Sequence, residues 1–155
     1  MDIYSNYEQE TAIALFPVFY FWRYKTMKER EIRVLKIEPC KAPEVVTLTN
    51  ELEELQKAVS IGADYIGLIE IIAIDDDICI LCNEEGKLLG LPPNRRIGHD
   101  VICGVFYILG EDSEEGELTS LSDNDIEKYK AIFADTSPVV MTEAERNRLC
   151  SFRIF

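Results

Sequence analysis

The sequence predicts an α+β domain in which an antiparallel or mixed sheet of about five or six strands packs with two or three helices. Three observations support this. Short apolar or β-branched runs of strand length recur along the chain and are joined by short polar turns. Two segments carry apolar residues at helical spacing behind a capping residue. With 155 residues, of which 47% are hydrophobic and 29% charged, the chain is long enough to bury one core.

The first 26 residues differ in character from the rest of the chain. Their aromatic run over residues 11–22 is far shorter than the ~20 apolar residues needed to span a bilayer, and acidic residues precede it, so it is no secretory signal. Trp22 requires the codon TGG, and AGG at Arg23 would create a ribosome-binding sequence shortly before Met27. We therefore predict that translation starts at Met27 and that residues 1–26 are a mis-annotated N-terminal extension. A real aromatic arm packed on the domain is the alternative.

The single α+β domain is predicted over residues 27–135 and opens with a β-hairpin. The run Ile32–Glu38 has the composition of a strand, and Val45–Thr49 is β-branched and alternating. Pro39 and Pro43 bound the turn between them, where fixed φ angles and missing donors are tolerated. These features predict that the two strands pair.

A helix is predicted directly after this hairpin. Asn50 is a suitable capping residue, and Glu53 completes a capping-box pattern. Gly62 is predicted to end the helix. Its apolar stripe consists of Leu52, Leu55, Ala58 and Val59.

A second hairpin is predicted from the apolar runs Tyr65–Ile74 and Ile78–Cys82. Three aspartates at 75–77 join them, but they lack the spacing of a calcium loop, so we expect a solvated turn. Residues three apart on a strand point to opposite faces. Cys79 and Cys82 should therefore not share a metal or form a redox pair.

The remaining segments predict one interior strand, one short strand and two helices. Val101–Leu109 is apolar on both alternating faces, as in a strand covered on each side, and Leu118–Leu121 is a short final strand. Ser122 is predicted to cap the second long helix. Residues 136–155 are predicted to form a C-terminal helical tail, in which a capping box from Thr142 to Glu145 begins a short helix through Leu149.

The segment Asn83–Gly98 lies between two apolar stretches and carries the candidate binding site. Pro92 and Pro93 fix two φ angles and exclude a central strand or a helix interior, so we predict a stiff loop. Guanidinium groups held on such a loop suit bidentate contact with a carboxylate or phosphate. The candidate binding residues are Asn94, Arg95, Arg96 and His99.

The two adjacent arginines of this loop should point in opposite directions, so that one of them faces inward. In so acidic a chain, an internal salt bridge is the alternative to ligand binding. The candidate partners for such a bridge are Glu84, Glu85 and Asp100.

Composition narrows the function classes. The 29 acidic residues exceed the 16 basic ones, for a net charge of -13, which disfavours direct nucleic acid binding and binding to anionic membranes. Five cysteines, an odd number, predict reduced thiols in the cytoplasm. A single histidine leaves no His-rich metal set, and phosphate-loop, dinucleotide and hydrolase motifs are absent. We therefore expect no metal, no cofactor, no catalytic residues and no enzyme activity.

Several blocks together resemble a family of unknown function, number 3846, which is common in phages and conjugative elements of low-GC bacteria. The resemblance covers roughly residues 31 to 134 and implies a mobile-element context without supplying catalytic residues. The most specific block runs from Asn-Glu-Glu-Gly-Lys to Pro-Pro-Asn-Arg. The matching blocks begin at Ile32, Ala42, Leu52, Cys82, Gly104 and Leu118.

The leading functional hypothesis is a non-enzymatic binding module that acts on a host or mobile-element protein in the cytoplasm. One alternative is an acidic DNA mimic that inhibits a host restriction or nuclease system, with its activity spread over the carboxylates of Glu51–Glu54, Asp75–Asp77 and Glu111–Glu117. The other is a small anionic-ligand binder that uses the two arginines of the Pro-Pro-Asn-Arg-Arg loop.

Overall fold

The computed structural model describes residues 30–152, so the predictions for residues 1–26 lie outside the described part of the chain. The α+β class is confirmed. None of the helices in this part is long and apolar enough to cross a membrane. In chain order the elements are β1 (Glu31–Ile37), β2 (Glu44–Thr49), α1 (Leu52–Val59), β3 (Ile69–Asp75), β4 (Ile78–Asn83), β5 (Pro93–Ile97), β6 (Asp100–Cys103), β7 (Phe106–Asp112), β8 (Glu117–Thr119), α2 (Asp123–Ile132) and α3 (Glu143–Phe152).

The main sheet has six strands, and all of its pairings are antiparallel. Its order is β2-β1-β7-β4-β3, and β8 pairs with the far end of β7. The two predicted hairpins, β1–β2 and β3–β4, are both confirmed. The second begins later than predicted, at Ile69, because Tyr65 to Leu68 lie outside the strand. Strands β5 and β6 form a separate two-stranded antiparallel sheet.

Helices cover the main sheet on both faces, because successive residues of a strand point to opposite sides. Val34 packs with Leu55 and Val59 of α1, whereas its neighbour Leu35 packs with Ile126 of α2. The β5–β6 hairpin lies on the α2 face, where its isoleucines contact the same cluster. This two-sided coverage explains the nearly continuous apolar composition of the central strands.

The two neighbouring cysteines of β4 lie in different cores, as the strand geometry predicted. Cys79 belongs to the cluster under α1 and Cys82 to the cluster under α2. Burial raises the pKa of each thiol to about 12. Because the two side chains lie on opposite faces of β4, they cannot bind one metal or form a disulfide with each other.

The predicted single strand Val101–Leu109 is wrong, since the chain breaks into β6 and β7. Gly104 adopts a φ of 86° at the break, and its amide donates to the carbonyl of Pro92 at 2.8 Å. A Cβ added there would approach the Leu91 side chain to 2.7 Å. Glycine is thus required for both the turn and the close contact.

The loop expected around the prolines is also partly wrong, because Pro93–Ile97 is strand β5. Pro93 is its first residue, a position that tolerates the missing donor. The register shifts between Pro93 and Arg95, so Asn94 lies in an irregular position of the ladder. The bulge allows the neighbouring side chains of Asn94 and Arg95 both to point into the fold, where they bond to different segments.

The helix caps follow the sequence signals at α2 and α3 but not at α1. The Ser122 hydroxyl accepts a hydrogen bond from the Asp125 amide at 3.1 Å. At α1 the cap is Glu51, without a side-chain cap, and Asn50 instead donates to the Leu118 carbonyl at 3.2 Å. Leu52 was predicted to belong to the apolar stripe of α1, but it is exposed, so this part of the prediction is wrong. The side chain of Asn50 thus bonds to β8 and does not cap α1.

Candidate functional site

The candidate site is built around the connection from β4 to β6. A turn after Asn83 is closed by the Asn83 side chain, whose Oδ1 accepts from the Glu85 amide at 2.8 Å. Gly86 lies so close to β6 that an added Cβ would meet the Cys103 carbonyl oxygen at 2.5 Å. The absence of a side chain at Gly86 lets this turn pack directly on the hairpin.

Asn94 is a buried structural link and is 1% exposed. Its Nδ2 donates to the carbonyl oxygens of Ile37 at 2.9 Å and Gly104 at 2.8 Å. Its Oδ1 accepts from Nη1 of Arg95 at 2.9 Å. The amide thereby joins the end of β1 to the connection between β6 and β7 and orients the neighbouring guanidinium.

Arg95 faces inward and is 6% exposed. Its Nη2 donates to the carbonyl oxygens of Lys41 at 2.8 Å and Phe133 at 3.2 Å, and its Nη1 also contacts the Asn94 carbonyl at 3.2 Å. Burial lowers the pKa of Arg95, with Asp135 opposing that effect. Since Phe133 ends α2, the guanidinium lies where the helix dipole favours positive charge.

Nearly all hydrogen-bond donors of the Arg95 guanidinium have a partner inside the fold. Its Nε is the buried side-chain nitrogen in residues 30–148 that lacks a hydrogen-bond partner. The remaining donors hold backbone carbonyls of three different segments. The structure therefore uses Arg95 to fix the β1–β2 turn, β5 and the end of α2 together.

Arg96 points the other way, as adjacent strand positions require. Its Nη1 donates to the Glu145 carboxylate of α3, so the expected partners Glu84, Glu85 and Asp100 are wrong for this arginine. Glu145 also accepts from the Thr142 amide at 2.8 Å, which completes the predicted capping box. The pKa of Glu145 falls to about 2, mainly through the hydrogen bond from Arg96.

The four predicted site residues do not converge on one point. Asn94 and Arg95 bond to each other inside the fold. Arg96 and His99 both contact α3, the latter through its carbonyl oxygen, which accepts from Arg148 Nη1 at 2.8 Å. The His99 side chain is exposed. Asn94 and Arg95 therefore hold buried segments of the fold together, whereas Arg96 and His99 hold α3 against the β5–β6 hairpin.

A cavity that the sequence did not reveal lies beside this hairpin. Its volume is about 270 Å³, and β3, β4, the turn after β4 and β6 form its walls. The side chain of Lys87 is 5% exposed, and its ammonium bonds to the Asp100 carboxylate. Glu70 and Glu84 lie on the same rim. The lining residues are Glu70, Ile72, Cys82, Asn83, Glu84, Gly86, Lys87, Asp100, Val101, Ile102 and Cys103.

Acidic groups dominate the electrostatics of this cavity. The pKa of Glu70 is raised, first by burial and then by the charges of Glu84 and Asp100. The Cys82 sulfur lies 4.0 Å from Glu70 Oε2. In the sequence, the one signal was a glutamate interrupting the apolar run of β3. Within residues 30–148, no three His, Cys, Asp or Glu side chains are grouped to hold a metal.

The fold defines an α+β protein whose antiparallel sheet is covered on both faces and carries a two-stranded hairpin beside a cavity. A family model described as a domain of unknown function, DUF3846, matches residues 32–134, and the chain belongs to this family. Neither the comparison with curated proteins nor that with solved structures gave a match.

Proposed function

We propose that this protein is a non-enzymatic binding module that acts on a protein of the host cell. We place it among the accessory proteins of phages and conjugative elements, working in the cytoplasm, on the resemblance of its sequence blocks. The observation that carries the proposal is a set of half-exposed aliphatic side chains in the segment from the end of α1 to β3, which we call the apolar strip.

The apolar strip consists of Ile61, Ile66, Leu68 and Ile71, which are 44–57% exposed. All four lie on the connection from α1 to β3 or on β3 itself. Large aliphatic side chains exposed together in one short segment are typical of a protein-binding surface, since their burial on association is favourable. Exposed aliphatic side chains do not contribute to the solubility of the protein, which its many charged groups provide.

Charge indicates the nature of the partner. Exposed carboxylates occur in the same part of the chain, at Asp64, at Glu70 of β3 and in the 75–77 turn that follows β3. The chain carries a net charge of -13. A partner surface with apolar side chains inside a basic border would match this arrangement, and its association would be accelerated by electrostatic steering.

The test uses the double variant Ile66→Glu/Leu68→Glu and the control Val140→Glu, which introduces charge at an exposed apolar residue in the C-terminal segment. Each protein is immobilised and exposed to host lysate, and bound proteins are quantified by mass spectrometry after thermal unfolding confirms that all are folded. We expect wild type and the control to enrich the same protein and the double variant to lose it. Equal recovery by all three, or no enrichment over bare resin, would refute the proposal.

A second candidate, the DNA mimic, is favoured by one contact. The Glu111 amide donates to the Asp77 carbonyl at 2.8 Å, which brings the acidic turns 75–77 and 111–117 to the same end of the sheet. Neighbouring carboxylates could imitate phosphates, and binding would then weaken steeply with salt. A captured partner that binds DNA, with such a salt dependence and insensitivity to the strip variant, would favour this candidate.

The anionic-ligand hypothesis depends on the two arginines of β5. Arg95 directs its guanidinium at backbone carbonyls inside the fold, and Arg96 binds Glu145. These internal contacts support a structural role for the pair. We therefore base no proposed function on them.

A further inference from the structure

The cavity between β3 and β6 combines an apolar wall with a charged rim. Ile72, Val101 and the two cysteines Cys82 and Cys103 provide the apolar wall. The volume of about 270 Å³ is just below the range typical of drug-sized ligands. The cavity therefore has room for one extended side chain and little more.

The rim of the cavity holds three carboxylates and one ammonium group. Lys87 is buried and already bonded to Asp100, so its charge is compensated inside the wall. Glu70 and Glu84 are exposed and add negative charge at the entrance, which Lys87 offsets only in part for Glu70. An incoming anion would meet this repulsion, whereas a cation would relieve it.

We propose that this cavity binds the side chain of a lysine or arginine presented by the protein partner. The inference rests on the proposed function, and it adds that the partner presents a basic side chain to the cavity. The methylene groups of the basic side chain pack on the apolar wall, and its ammonium or guanidinium group lies between Glu70 and Glu84. Glu70 and Ile72 belong to β3, which is the edge strand of the main sheet. Ile71 of the apolar strip lies on the opposite face of this strand, so a partner that contacts both the strip and the cavity spans the sheet edge.

The defined probes are N-acetyl-lysine amide and N-acetyl-arginine amide, titrated into the isotope-labelled full chain and followed by backbone amide shifts. We expect saturable shifts at the amides that line the cavity. N-acetyl-norleucine amide, which keeps the aliphatic chain without the charge, should cause no saturable shift. Equal binding of the norleucine and lysine probes would overturn the proposal, as would shifts confined to residues remote from the cavity. Tighter binding of free putrescine than of both blocked amino acids would overturn the protein source of the cation.

Two variants should change the affinity in opposite directions. Glu70→Gln removes a rim charge and should weaken binding of the lysine probe roughly fivefold. Lys87→Met removes the competing ammonium at similar volume and should strengthen it by a comparable factor; Asp100, which is 62% exposed, remains hydrated. A general loss of structure would weaken both. The matched control Glu114→Gln, on the loop between β7 and β8, should leave the affinity unchanged.

The strip variant separates this inference from the proposed function. Ile66→Glu/Leu68→Glu should bind the lysine probe as wild type does, even though it loses the partner. If Glu70→Gln leaves capture of the partner and probe affinity unchanged while the strip variant abolishes capture, the cavity inference fails and the proposed function stands. If the probes bind as expected but the strip variant captures the partner normally, the proposed surface fails and the cavity stands.

Discussion

Replacing Arg95 by methionine removes the guanidinium while keeping much of the side-chain volume. In the native structure this group donates to the carbonyls of Lys41 and Phe133 and to Asn94. The contacts with Phe133 and Asn94 are buried, and each buried acceptor left without a donor costs about 1–3 kcal/mol. Carbonyls nearer the surface can rebind water. We therefore expect a loss of about 2–6 kcal/mol in the free energy of unfolding.

This loss corresponds to a fall of about 10 °C in Tm for a domain of this size. Urea unfolding followed by circular dichroism measures the free energy, and Arg33→Met provides the matched control because its side chain is half exposed and its ion pair with Asp123 lies at the surface. Arg95→Lys should recover little, since an ammonium cannot span the separated carbonyls. Equal stability of the Arg95→Met and Arg33→Met proteins would refute the structural role assigned to Arg95.

Two further predictions follow from other groups. The pKa of Glu145 is lowered to about 2 from its ordinary value of 4.5, so the stability contributed by its charged form is fully present above pH 4.5 and is lost as the pH falls toward 2. The difference in urea midpoint between wild type and Glu145→Gln should therefore disappear over that interval. A difference that stays constant with pH would contradict the ion pair with Arg96. Iodoacetamide should modify the exposed Cys40 in the native protein well before the buried thiols, because burial raises the pKa of those thiols and shields them from the reagent. Peptide mapping measures the order of modification, and earlier modification of a buried thiol would contradict the prediction. Among the side chains that the structure describes, the buried thiols are Cys79, Cys82 and Cys103.

The sequence by itself determined the features that depend on local periodicity. Alternation along β1 and β4 placed neighbouring side chains in different cores, and it correctly separated Cys79 from Cys82. The caps at Ser122 and Thr142 were also predictable, because each bonds to an amide three residues away. Opposite orientation of Arg95 and Arg96 followed from strand geometry alone.

Only the tertiary structure decided what those side chains contact. Arg95 donates to carbonyls 54 and 38 positions away, and every residue type carries the same carbonyl, so no sequence pattern identifies such partners. The same reason hid the true role of Asn50, whose amide binds a carbonyl of β8 and leaves the cap of α1 empty. The cavity at Lys87 arises where three separate segments meet, and its shape depends on how closely Gly86 lets the turn approach β6. Packing distances of this kind are set by the assembled fold, because they depend on the positions of segments that are far apart in the chain.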